Sequence, residues 1–149
     1  MTKVQKIFIL LISCLAGTGC GAEEYEVFLP DVHVDFRFDL TFPPYTQLRD
    51  VYPNAIKVKE REEGYNRNGI ILVRLSESDF RAYDATCTRN VQKETTALTL
   101  STDHSTAHCP ACGAEYTIQQ PGAYEKNGKN RLQQYRVVAI NEYVKHVVN

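Results

Sequence analysis

The stretch Val32–Leu40 alternates without a break: Val32, Val34, Phe36, Phe38 and Leu40 fall on one face, and His33, Asp35, Arg37 and Asp39 on the other. Successive side chains of a strand point to opposite faces, so this pattern predicts a half-buried strand with a wet outer face. A helix would instead repeat its apolar positions every three to four residues. No stretch of the chain sustains that period, although Asn130–Tyr135 is long enough for one expected helical turn. The apolar runs are short and punctuated by Gly, Pro and Asn: Ala55–Lys59, Gly69–Leu75, Phe80–Ala85, Thr95–Leu100, Tyr116–Ile118, Arg136–Ile140 and Tyr143–Val148. Phe42-Pro43-Pro44-Tyr45 ends the first strand, a charged turn runs through Glu60–Gly64, and Asn141-Glu142 predicts a tight hairpin turn. Gly69–Leu75 is the most apolar of these runs and reads as a central strand. The expected fold class is all-β, built of small antiparallel sheets as a sandwich or small barrel.

The N-terminus reads as an export signal. Lys3 and Lys6 precede the apolar run Ile7–Ala16, and the small residues Gly17-Thr18-Gly19 lead into Cys20. That run is too short to span a membrane as a helix. A cysteine directly after small residues resembles the bacterial lipoprotein signal, in which it becomes the lipidated first residue, although Gly17 stands where leucine is usual. Leu11-Ile12-Ser13-Cys14 fits that box better but leaves only Ile7–Leu11 ahead of it, short of the roughly 7–15 residues such a region needs. Residues 1–19 are therefore expected as the signal, Cys20 as the lipidation site and residues 20–30 as a tether. A secretory peptide without lipid is the alternative. Gly21 in the second mature position carries no inner-membrane retention signal, which favours the outer membrane. Loss of Lys3 and Lys6 moves the formal net charge from -1 to -3. With no basic run or basic-aromatic interleaving, nucleic acid is not an expected partner.

Three cysteines remain in the mature domain. Cys109-Pro-Ala-Cys112 forms a C-x-x-C between two strand-like runs, and Cys87 closes another such run, Phe80–Ala85. Two loops therefore each present sulfur at one end of the β structure. Three chemistries are open to that layout: a metal or cluster site, a disulfide, or a former site with replaced ligands. Zinc would need a fourth ligand. His108 adjoins Cys109 and points the opposite way on an extended segment, so His104 is the better candidate.

The segments Phe80–Cys87, Ala107–Tyr116 and Leu132–Val137 together resemble a Rieske-type iron–sulfur domain, over roughly Gly69–Asn149. The lipid tether and the Val32–Leu40 strand are similar to those of Rieske-like lipoproteins of the Bacteroidetes type. The resemblance implies a domain over 31–149 with two cysteine-bearing loops at one end. In that family two cysteines hold one iron of a [2Fe–2S] cluster and two histidines hold the other. Cys87 and Cys109 match the cysteines, but Arg89 and Cys112 stand at the histidine positions. Ala114 replaces a serine of the pattern, and Gly128-Lys129-Asn130 stands where a covering loop is common.

Neutral imidazoles raise the cluster potential, and arginine, always protonated, is a poor substitute. The expectation is thus a domain without a functional cluster, serving as a structural or binding component of an envelope complex. The alternative is an electron carrier with an atypical [2Fe–2S] cluster on Cys87, Cys109, Cys112 and Arg89. The family layout further implies a Cys87–Cys109 disulfide and a reactive Cys112 thiol beside Arg89. Enzymatic chemistry is not expected: no G-x-S-x-G, H-E-x-x-H or phosphate loop occurs. The Cys109/Cys112 pair also lacks the helix N-terminus that would lower a thiol pKa.

Overall fold

The computed structural model describes residues 29–59, 63–91, 93 and 95–149. The signal 1–19, Cys20 and most of the tether 20–30 lie outside the described residues, as do positions 60–62 of the charged turn. Within them the chain is all-β, with nine strands and no α-helix. Six strands form one curled antiparallel sheet: β1 (Asp35–Asp39), β2 (Asn54–Val58), β3 (Ile70–Arg74), β4 (Phe80–Asp84), β8 (Gln134–Ala139) and β9 (Val144–Val148), in the order β1-β9-β8-β4-β3-β2. Three two-residue strands form a smaller sheet: β5 (Thr99–Leu100), β6 (Ala107–His108) and β7 (Glu115–Tyr116), in that order.

The alternation of Val32–Leu40 is realised as expected. Val34, Phe36, Phe38 and Leu40 are buried, while His33, Asp35 and Arg37 are exposed. β3 shows why a strand can be apolar at every position. Ile70 and Leu72 point into the hollow of the curled sheet, where they meet Phe36, Phe38, Ile56, Tyr135 and Val147. Ile71 and Val73 point the other way, into a second core shared with Tyr83, Leu98, Tyr116, Ile118 and Leu132. The sheet therefore has a core on each side of β2, β3 and β4, and β3 lies one strand in from the β2 edge.

Three local expectations are corrected. Asn130–Tyr135 makes no helical turn: Arg131 bridges Tyr124, and Gln134 and Tyr135 already belong to β8. Only Thr99–Leu100 of the run Thr95–Leu100 is a regular strand, because the segment changes partners. Cys87 N–H donates to Thr96 O at 2.9 Å and Leu98 N–H to Ala85 O at 2.7 Å, before β5 pairs with β6. The β8–β9 turn takes in Ile140–Tyr143 rather than two residues. Asn141 Oδ1 accepts from Tyr143 N–H at 2.9 Å and from Val144 N–H at 2.7 Å, a side-chain turn inside the backbone closure from Ile140 N–H to Val144 O at 3.0 Å.

Candidate functional site

The thiols meet because two chain reversals deliver the loops that carry them, and a third reversal packs beside these. The first follows β4, where Thr86 bridges Ala97 and Cys87 comes next. The second is the β6–β7 connection. Cys109 N–H donates to Ala114 O at 2.8 Å and Gly113 N–H to Cys109 O at 2.9 Å. Gly113 sits at φ +70°, a backbone conformation that favours glycine and lets the C-x-x-C turn fold back. The third is the reversal through Glu125–Asn130, in which Glu125 N–H donates to Asn130 O at 2.9 Å.

Cys87, Cys109 and Cys112 place their sulfurs within 4.8 Å of one another, and Cys87 Sγ lies 3.6 Å from Cys112 Sγ. All three are free thiols. Cys87 and Cys109 are each 2% exposed, whereas Cys112 is half-buried at the rim. Metal–sulfur bonds of about 2.3 Å around a tetrahedral ion put neighbouring sulfurs about 3.8 Å apart. A triangle of this size thus suits three ligands of a single ion.

The surroundings treat the sulfurs differently. Burial pushes the Cys87 thiol up to about 12, against the opposing hydrogen bonds from the Tyr116 hydroxyl and Arg89 N–H. Burial acts the same way on Cys109, but N–H groups of Cys112 and Ala111 donate to its sulfur, and its pKa ends below the ordinary thiol value. The Tyr116 hydroxyl lies at the centre, 3.5 Å from Cys87 Sγ. It accepts from Thr88 N–H at 3.1 Å and Arg89 N–H at 3.2 Å, and burial keeps it protonated.

Arg89 and Glu125 lock the outer side. The Glu125 side chain is fully buried, pairs with the Arg89 guanidinium and accepts from Asn130 Nδ2. Arg89 Nη1 also donates to Cys112 O at 3.2 Å, which ties the first loop to the second. Gly128 packs flat against the Glu125 carboxylate, and a Cβ there would collide with it.

Neither a family model nor a curated protein matches the chain.

The expected site residues thus divide. Cys87, Cys109 and Cys112 converge, and Arg89 stands beside them. His104 does not join them: it lies in the β5–β6 turn, at the other end of β6 from Cys109, where its Nδ1 contacts Asn54 Oδ1 at 2.6 Å. The structure thus does not bring His104, the expected fourth zinc ligand, to the three sulfurs. His108 is exposed on β6, away from the sulfurs. Two contributors are not read as site residues from the sequence. Glu125 reads there as one of many acidic residues, and Tyr116 as a packing aromatic. Only the folded path reveals a buried carboxylate opposite Arg89 and a phenol that contacts all three residues of the 87–89 loop.

Proposed function

We propose that this chain is a bacterial envelope lipoprotein, anchored by a lipid on Cys20, whose Rieske-like β domain is a structural or binding component rather than an enzyme. Its tip holds no [2Fe–2S] cluster. The observation that carries this reading is the crowding of three sulfurs around one point. A Rieske-type cluster needs four ligands in two pairs, one pair on each of two irons. The second pair here would be Arg89 and Cys112. Arg89 stays protonated, and its guanidinium is committed to Glu125 and the Cys112 carbonyl. Cys112 Sγ stands 3.6 Å from Cys87 Sγ, beside the first pair rather than across a cluster from it. The residues present do not fit the group.

Protein purified without oxygen and assayed for iron, acid-labile sulfide, visible absorbance and spin resonance tests this. Neither sulfide nor a reduced-cluster resonance is expected. Iron and sulfide in stoichiometric amounts would restore the electron-carrier alternative. Anchoring is tested separately by fractionation. Cys20→Ala should move the protein into the soluble envelope fraction, and Cys14→Ala should leave it on the membrane; the reverse pattern overturns the choice of Cys20.

A further inference from the structure

We propose that Cys87, Cys109 and Cys112 together bind one thiophilic divalent ion, zinc, as a three-thiolate site whose fourth position opens to solvent beside Cys112. The inference rests on the cluster-free reading of the tip and deepens it.

Three observations support a site built for one ion. The sulfur triangle, with every edge within 4.8 Å and one edge of 3.6 Å, brackets the spacing of tetrahedral thiolate ligands. Hydrogen-bonding groups already reach the sulfurs: the Tyr116 hydroxyl lies 3.5 Å from Cys87 Sγ, and the Cys112 thiol lies 3.6 Å from it. Such a hydroxyl donor orients a thiolate and steadies its charge while its remaining lone pairs face the other two sulfurs. The loops that carry the ligands are also held before any ion arrives, by the Tyr116 hydroxyl under residues 87–89 and by Arg89 across to the Cys112 carbonyl.

A disulfide serves this geometry less well. Its sulfurs must close to about 2.05 Å, and any one bond uses two thiols of three. A Cys87–Cys112 bond would strand Cys109, a buried thiol within 4.8 Å of both. One ion engages all three sulfurs. Cys112, at the rim, leaves a side through which the ion enters and a fourth donor such as water can bind.

The test uses the processed, detergent-extracted lipoprotein, reduced and stripped with a chelator, with cobalt(II) as spectroscopic probe and zinc(II) as competitor. One equivalent of cobalt should produce thiolate-to-cobalt charge transfer and strong tetrahedral d–d bands, and one equivalent of zinc should remove them. Bound zinc should protect Cys87, Cys109 and Cys112 from alkylation, read peptide by peptide so that Cys20 is scored apart. Added 2-mercaptoethanol should shift the d–d bands by entering the fourth position. Serine at any of the three cysteines should weaken cobalt binding by more than about tenfold, a loss typical even of an outer-shell partner. His104→Ala should leave binding unchanged. Absence of charge transfer, or zinc protection of fewer than three thiols, overturns the proposal. A metal-free protein with a disulfide between any two of the three, whether the expected Cys87–Cys109 or Cys87–Cys112, also overturns it, yet leaves the cluster-free reading intact. Stoichiometric iron with sulfide ends both.

Discussion

The curled sheet and the cysteine tip are held together by different forces. In the sheet, strands of five or six residues pair with their neighbours, and hydrocarbon packs on both sides of β3. In the tip the strands are two residues long, too short for ladder pairing alone to hold them. Directional bonds take over there: a phenol that accepts two backbone N–H groups, an ion pair between loops, and a knot of sulfur. The sheet draws its stability from burying area, which is tolerant of detail. The tip draws its shape from specific atoms, which is how a small structure holds a site in place.

If that division is right, the largest loss of global stability should come from the sheet. Phe38 is 3% exposed and stacks on Tyr45 at 5.2 Å between ring centres. Phe38→Ala should cost about 3–5 kcal/mol by urea unfolding. A cost below 1 kcal/mol would mean that the hollow of the sheet repacks freely.

Tyr116→Phe should cost less, about 1–3 kcal/mol, because it leaves the buried Thr88 N–H and the part-buried Arg89 N–H without the phenol oxygen they donate to. Its distinctive mark is local. Amide exchange should accelerate at residues 86–89 and 109–116 while β3 and β9 keep their protection. Uniform acceleration would show that sheet and tip open as one unit.

Asp84 joins the two regions and predicts a pH effect. It is fully buried and accepts from Tyr65 N–H at 2.6 Å, Thr86 N–H at 2.9 Å and the Tyr135 hydroxyl at 2.8 Å. Burial raises its pKa despite those donors. Above the unfolded carboxyl value of about 3.9, the native state therefore retains a proton that the unfolded chain has released. Its contribution to stability falls as pH rises from there through the raised native value. Unfolding curves of the protein and of Asp84→Asn, compared across that range, should differ in slope in this sense. Parallel curves would refute it.

The smallest expected effect is on the wet face of β1. Arg37 is exposed opposite His146, and Arg37→Ala should change stability by less than about 0.5 kcal/mol. A larger loss would mean that this face is covered.

Much of the sheet was legible in the sequence because a period of two is a direct imprint of burial on one side. Phe36 and Phe38 against Asp35 and Arg37 needed no knowledge of the partner strand. β3 was legible as a strand but not in its meaning, since Ile70–Val73 looks the same whether one core or two receive it. The convergence of Cys87 with Cys109 and Cys112 could be anticipated from loops at one end. Arg89 could not be given its partner: Glu125 lies 36 positions away and becomes adjacent only when residues 125–130 fold over the loops. His104 stands apart from the sulfurs for a related reason. It is close to Cys109 along the chain, but the intervening strand carries it to the opposite end of the small sheet.

The two-sided burial of β3 also decides where this molecule can be cut. A shortened version without residues 96–131 would keep all six strands of the larger sheet. It would also turn Ala55, Ile71, Val73 and Tyr83 out to water, because the deleted segment is the cover over that side. Such a fragment should clump rather than dissolve. The cysteine end is therefore no detachable appendage, and engineering that means to graft or delete it must carry the back of the sheet along.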